Sequence, residues 1–376
     1  MDVIPISRPD IGTRELAQLC EAFSDNWLAL GPKVSEFESQ IASRYGYDHV
    51  VATNSGTAAL DLAIRSLDLD GTEILVPPIT WISTAAAGMY SGYDIGWVDI
   101  KESTLNVDPE ALEERITSDT AAVIVVHYGG QPADLDRIRE ITSEYGAMLI
   151  EDACHAFGTD YRGTPVGHIG DVACFSFQES KPLTTGEGGA LVTNDEEVAA
   201  RARRLSKMGV DKTNRFERTS DDGYDWEYDV THVGYKYFMH DISAAIGLAQ
   251  LERFDDIQAR RAAVADRYAD AVEDLAWVEP LARHDDRGHA NYNYTVLVPA
   301  AHRDDLITFL YGRDIAATVH YEPMYRHSVF EGESAAVPTT ERVWPRMVTL
   351  PMSSAFTESE VRRVIDGIRE YGRRYV

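Results

Sequence analysis

Residues 147–195 read AMLIEDACHAFGTDYRGTPVGHIGDVACFSFQESKPLTTGEGGALVTND, and the reading of this stretch decides the fold. It opens with a short apolar run, 147–150, with the length and composition of a buried strand. The run stops at Glu151-Asp152. In open α/β sheets the carboxyl ends of strands line the ligand crevice, so this acidic pair is expected to face it. A second apolar run, 172–177, leads into Gln178-Glu179-Ser180-Lys181. Thr184-Thr185-Gly186-Glu187-Gly188-Gly189 then precedes a third run, 190–193. A carboxylate at one strand end and a lysine just past the next can project into a single crevice.

That pairing suits pyridoxal 5'-phosphate (PLP). The cofactor needs an amine for its aldehyde and an anion against its ring nitrogen, which makes the ring an electron sink. The lysine must lose its proton to act as a nucleophile, and burial beside other cations favours that. Taken singly, the aspartate reads as a turn or cap, the lysine as a solvated charge and the glycines as a turn. Their order is the informative part.

EDACHAFG (151–158), FSFQESKPLTTGEGGALVTND (175–195) and NSGTAAL (54–60) resemble the DegT/StrS family of PLP-dependent sugar aminotransferases, within the fold type I superfamily. The resemblance implies an α/β fold. A large PLP-binding domain (1–250), with a mostly parallel sheet between helices, would be followed by a smaller C-terminal α+β domain (251–376). It implies that Lys181 binds the cofactor covalently and moves protons, and that Asp152 meets the ring nitrogen. Ser55, Gly56, Thr57 and Ser176 would hold the phosphate, and Trp81 would stack on the ring. His155 either stacks there or steers Asp152, and a satisfied buried histidine is the plain alternative. Gln178, His320 and Tyr321 are candidates for substrate contact. Family members carry Gly-Tyr-Asn-Tyr-Arg where this chain has Gly234-Tyr235-Lys236-Tyr237-Phe238. Lys236 would then meet the phosphate from the neighbouring subunit of a homodimer, as a point charge in place of an amide.

The implied reaction moves an amino group from glutamate or glutamine to a keto-sugar, foremost a nucleotide-linked deoxysugar. A cyclitol ketone of the scyllo-inosose type is the alternative substrate. A sugar dehydratase of the same fold would have histidine in place of Lys181, and a non-catalytic regulator would need a broken site.

Composition narrows the field further. The 376 residues carry 44% hydrophobic residues, ordinary for a protein with a sizeable core, and a formal net charge of -27. That charge argues against nucleic acid or an anionic membrane as partner. Six lysines stand among 35 basic residues, and the acidic excess suggests adaptation to a salt-rich cytoplasm. No apolar run reaches a membrane span, and MDVIPISRPDIG lacks an export signal's pattern, so a cytoplasmic enzyme is expected. Cys20, Cys154 and Cys174 have no metal-ligand spacing and read as reduced core thiols.

Along the rest of the chain, helices are expected at 13–23, capped by Thr13, and at 33–45. The apolar loop 26–32 between them packs on the large domain or edges the site. Strands are expected at 49–53, 73–76, 94–99 and 121–127, alternating with helices at 58–67, 81–91, 108–116 and 134–145. A helix at 196–208 leads to a polar loop, 209–229, expected to be a mobile surface or interface segment, and then to one long helix, 241–268. Beyond it, strands around 277–278, 292–298 and 316–320 and helices at 303–313 and 358–371 complete the smaller domain.

Overall fold

The computed structural model describes residues 3–211, 228–330 and 336–376. Its centre is a sheet of seven strands: β1 (His49–Thr53), β2 (Glu73–Val76), β3 (Asp94–Trp97), β4 (Thr120–Val126), β5 (Met148–Asp152), β8 (Val172–Ser176) and β9 (Gly189–Thr193). A two-stranded ribbon, β6 (Asp160–Tyr161) and β7 (Thr164–Pro165), lies between β5 and β8 in sequence. The sheet order is β1-β9-β8-β5-β4-β2-β3. Neighbours pair in parallel except around β9, which runs antiparallel to both β8 and β1.

That one reversal concentrates the chemistry. Gly189, where β9 begins, lies opposite Ser176 at the end of β8 and Thr53 at the end of β1. The turn after β1, the end of β5 and the loop between β8 and β9 therefore meet at one sheet edge. The connection from β8 to β9 is a direct return, and Lys181 sits on it.

Helices cover both faces, as apolar strands require. They are α1 (Thr13–Ser24), α2 (Pro32–Tyr45), α3 (Gly56–Ser66), α4 (Ser83–Tyr90), α5 (Pro109–Arg115), α6 (Leu135–Tyr145) and α7 (Glu196–Leu205), then α8 (Asp241–Glu252) and α9 (Phe254–Val272). A second sheet of β10 (Glu279–Pro280), β11 (Tyr294–Leu297) and β12 (Met347–Leu350) packs with α10 (Ala300–Tyr311) and α12 (Glu358–Tyr375), while the short α11 is Pro338–Val343. Ile4 joins this C-terminal core, which also takes the later part of α9 from Val264 onward.

Several expectations change. Thr13 does not cap α1. Gly12 is the cap residue, and the Glu15 carboxylate accepts its N–H at 2.7 Å. The long helix breaks at Arg253 (φ −113°, ψ 16°), whose guanidinium reaches Asp10 and Glu15 near the start of the chain. Residues 316–320 form no strand. Their pairing is limited to a bridge between Thr318 and Thr349. Cys20 is exposed and so is no core thiol, whereas Cys174 is buried and Cys154 partly so. Residues 212–227 of the polar loop lie outside the described residues. Among the described residues, no helix is long and apolar enough to cross a membrane.

Candidate active site

The two residues that end β5 have opposite fates. Side chains alternate across a strand, so Glu151 and Asp152 point to different faces. Glu151 is fully buried. Its carboxylate accepts from the backbone N–H groups of Gly167 (3.1 Å), Ile169 (3.3 Å) and Gly170 (2.6 Å). It also meets His127 Nε2 at 3.0 Å. His127 Nδ1 accepts from Ala133 N–H, which leaves Nε2 as the donor. Glu151 is thus a structural anchor and does not face the crevice.

Asp152, 4% exposed, forms part of the wall of a cavity of about 450 Å3. Thr84 Oγ1 donates to its Oδ2 at 2.6 Å, and the Cys154 N–H reaches Oδ1 at 3.2 Å. Thr80 hydrogen-bonds Thr84 at 2.8 Å behind it. No basic side chain pairs with Asp152 among the described residues, so its charge is left for a cation in the cavity.

Ser55, Gly56 and Thr57 form the wall where α3 begins. Ser55 Oγ caps the helix by accepting from Ala58 N–H at 3.1 Å, and Thr57 Oγ1 lies 2.6 Å from Ser83 Oγ. The positive end of α3 faces the cavity, as an anion site requires. Its approach depends on two glycines. A Cβ on Gly56 would stand 2.8 Å from Ser176 Cβ, and one on Gly189 would stand 2.6 Å from the Ser55 backbone. Ser176 lies beneath this turn and accepts from Gln178 N–H.

Lys181 lies across from Asp152, and the turn that carries it is tied down twice. Gln178 Oε1 accepts from Ser180 N–H (3.0 Å) and Ser180 Oγ (2.6 Å), and Lys181 N–H returns to Gln178 O at 2.9 Å. Arg261 of α9, 3% exposed, holds the carbonyls of Ser180, Lys181, Asn291 and Tyr292 at 3.1–3.5 Å. Burial lowers this guanidinium to about 10. Lys181 Nζ stands 4.1 Å from the centroid of the Tyr292 ring.

The remaining candidates are placed as follows. His155, 3% exposed, stacks on Tyr292 (4.2 Å between centroids), and its Nε2 is 3.3 Å from Tyr321 Oη. Its Nδ1 has no partner. Burial, reinforced by Lys181, pushes it well below the ordinary histidine range, so it is neutral at pH 7. His320 is lowered to about 4 by burial and then by Lys181. Trp81, 59% exposed, stands at the cavity mouth 6.0 Å from Tyr321. Lys236 does not line the cavity of its own chain, and its Nζ lies 6.0 Å from the Phe238 ring. Nor does the 26–32 loop line that cavity.

Sequence reading missed Thr80, Thr84, Ser180 and Tyr292. The Thr80–Thr84 spacing of four, at the start of a helix after a strand, was the available signal for the first two. Tyr292 carried none beyond its place in an aromatic run.

The chain matches the DegT/DnrJ/EryC1/StrS aminotransferase family over residues 9–369. It belongs to that family. The spore coat polysaccharide biosynthesis protein SpsC of Bacillus subtilis (strain 168) is 38% identical to it, over 98% of this chain and 96% of SpsC. The crystal structure of the sugar aminotransferase CalS13 from Micromonospora echinospora superposes with TM-score 0.89 at 32% identity, covering 98% and 99% of the two chains. A PLP-form structure of Spr1654 from Streptococcus pneumoniae superposes at TM-score 0.91 and 27% identity, covering both chains fully. DegT-family aminotransferases use PLP, and this chain is a PLP-dependent sugar aminotransferase. The cavity suits the cofactor on its own terms. It is lined by a buried carboxylate with no ion-pair partner among the described residues, by a lysine and by a helix start closed by glycines.

Proposed function

We propose that this aminotransferase moves an amino group from glutamate or glutamine to a nucleotide-linked keto-deoxysugar. Convergence of Lys181 and Asp152 on one cavity is the observation that carries the reading. PLP, when bound, supplies an electrophilic carbon for the amine and a ring that accepts electrons. Lys181 Nζ would hold it covalently and then move the proton at the donor and acceptor carbons. Asp152, fixed by Thr84 and Cys154 N–H, would balance the ring's charge. Ser55, Gly56, Thr57 and Ser176 would hold the phosphate, with Trp81 and His155 flanking the ring. Gln178, His320 and Tyr321 would meet the substrate; in Gln178 the carbonyl oxygen is already engaged by Ser180.

A homodimer with Lys236 reaching the partner's phosphate belongs to the same proposal. Val233 (94% exposed), Leu28 (46%) and Trp27 (37%) offer apolar surface that a second subunit would cover. The division into domains at about residue 250, a cytoplasmic setting and adaptation to high salt are proposed with it.

A ketoinositol is the second reading. Among the described residues lining the cavity, Lys181 is the one lysine or arginine, which suits an uncharged polyol as well as a diphosphate bound by other groups. Incubating the protein with glutamate or glutamine and either a panel of UDP- and TDP-keto-sugars or scyllo-inosose, with products identified by mass and NMR, separates the two. Failure of every nucleotide sugar would end the first reading. Borohydride trapping with peptide mapping that left Lys181 unmodified would end both.

A further inference from the structure

Tyr292 reaches the cavity wall from the segment before β11. Its ring centroid lies 4.1 Å from Lys181 Nζ, and the ring stacks on His155. Its phenol lies 3.5 Å from Ser180 Oγ, and Lys181 and Tyr321 are close enough to act on its charge. Its carbonyl is held by Arg261, which also holds the Lys181 carbonyl, so ring and amine are fixed to one support.

We infer that Tyr292 is a further reaction residue of this site: its phenolate faces the Lys181 ε-ammonium and takes its proton, leaving the neutral amine that Lys181 needs. The inference rests on the role proposed for Lys181. The step balances within the pair. One N–H bond of the ammonium breaks and one O–H bond forms on the phenolate. Amine and phenol result, and nothing else is consumed.

The electrostatics support this geometry. Burial alone would raise the Tyr292 phenol, but the facing Lys181 and the hydrogen bonds from Ser180 and Tyr321 bring it below its ordinary value. Tyr321 is pushed well up, by burial and then by Tyr292. Two neighbouring phenols driven apart in this way mark one as the proton acceptor and the other as a donor. The titratable and charged groups around Tyr292 are Lys181 on the β8–β9 return, His155 after β5, Tyr128 after β4, Tyr321 and Arg261. Asp152 faces the same cavity.

The test uses the full chain, with and without cofactor. In cofactor-free protein, near-ultraviolet titration of wild type minus Y292F should show one phenolate forming below the ordinary tyrosine range. K181M should move that titration up by at least about one pH unit. In the loaded enzyme, Y292F should lower kcat on the order of 10-fold or more and shift a limb of its pH profile, while KM stays within about 2-fold. A Y292F enzyme with wild-type kcat and pH profile overturns the inference, as does a phenolate titration that K181M leaves unmoved. Circular dichroism reports whether Y292F folds, and if it does not, the difference between the wild-type and K181M titrations decides alone. A wild type without cofactor absorbance or transfer activity would defeat the proposed function itself; an active wild type with a silent Y292F defeats only this inference.

Discussion

Glu151 and Asp152 are neighbours in the chain, equally hidden from water, and open onto opposite faces of one strand. On the Glu151 side every lone pair is spent on the 167–170 backbone and on His127. On the Asp152 side two donors orient the carboxylate, yet no cation meets it. The difference teaches that burial alone does not single out the acid proposed to act on the cofactor. The unspent charge does.

The comparison can be broken most sharply at Asp152. Asp152→Asn keeps the shape and removes the charge, so amino transfer should fall at least ~10³-fold with the melting temperature nearly unchanged, read by steady-state kinetics beside calorimetry. Glu151→Gln should do the reverse. It sets an NH2 group against N–H donors at a dry site and should cost about 2–4 kcal/mol in denaturant unfolding, with kcat little altered in the folded fraction. If Glu151→Gln abolished turnover in a fully stable protein, the contrast would be wrong.

Acid should probe the buried histidines. His155 and His320 (about 4), which line the cavity, and His289 (about 3), which lies outside it, are all held below the ordinary value of 6.5, chiefly by burial. Between that value and their folded ones the unfolded chain binds more protons than the native one. Stability is therefore intact above pH 6.5 and falls as pH drops toward 4, by about 1.4 kcal/mol per pH unit for each histidine. Urea unfolding at stepped pH measures the slope. A smaller effect is expected from Thr84→Val, which removes a donor from Asp152 Oδ2 and should lower kcat ~10-fold with little change in stability. Smallest is the response to salt. With a net charge of -27, molar KCl should raise the melting temperature by a few degrees, on the order of 1 kcal/mol, and a flat response would remove the case for salt adaptation.

Most of the sheet was legible because its strands are short apolar runs ended by turn residues, and the sheet edge where they converge follows from that pattern. Lys181, Asp152 and the Ser55–Gly56–Thr57 turn were legible because each closes such a run. Other features depend on contacts distant in sequence. Glu151 looked equivalent to Asp152 until the 167–170 loop folded over it. The break falls at Arg253, whose side chain pairs with Asp10 and Glu15, some 240 residues away in the chain, a contact that no periodicity within the helix records. Residues 316–320 have strand composition, but their neighbours offer only the Thr318–Thr349 bridge. Tyr292 belongs to the site solely because the C-terminal segment docks against the β8–β9 return.

Arg261 joins those last two pieces. One guanidinium planted in the dry interior grips carbonyls on either side of the seam between the Lys181 turn and the Tyr292 segment. Pulling the two apart would strand a positive charge away from both water and dipoles, a penalty of several kcal/mol. That seam is fixed, whereas Trp81 and Glu187, which line the same cavity, are exposed to solvent.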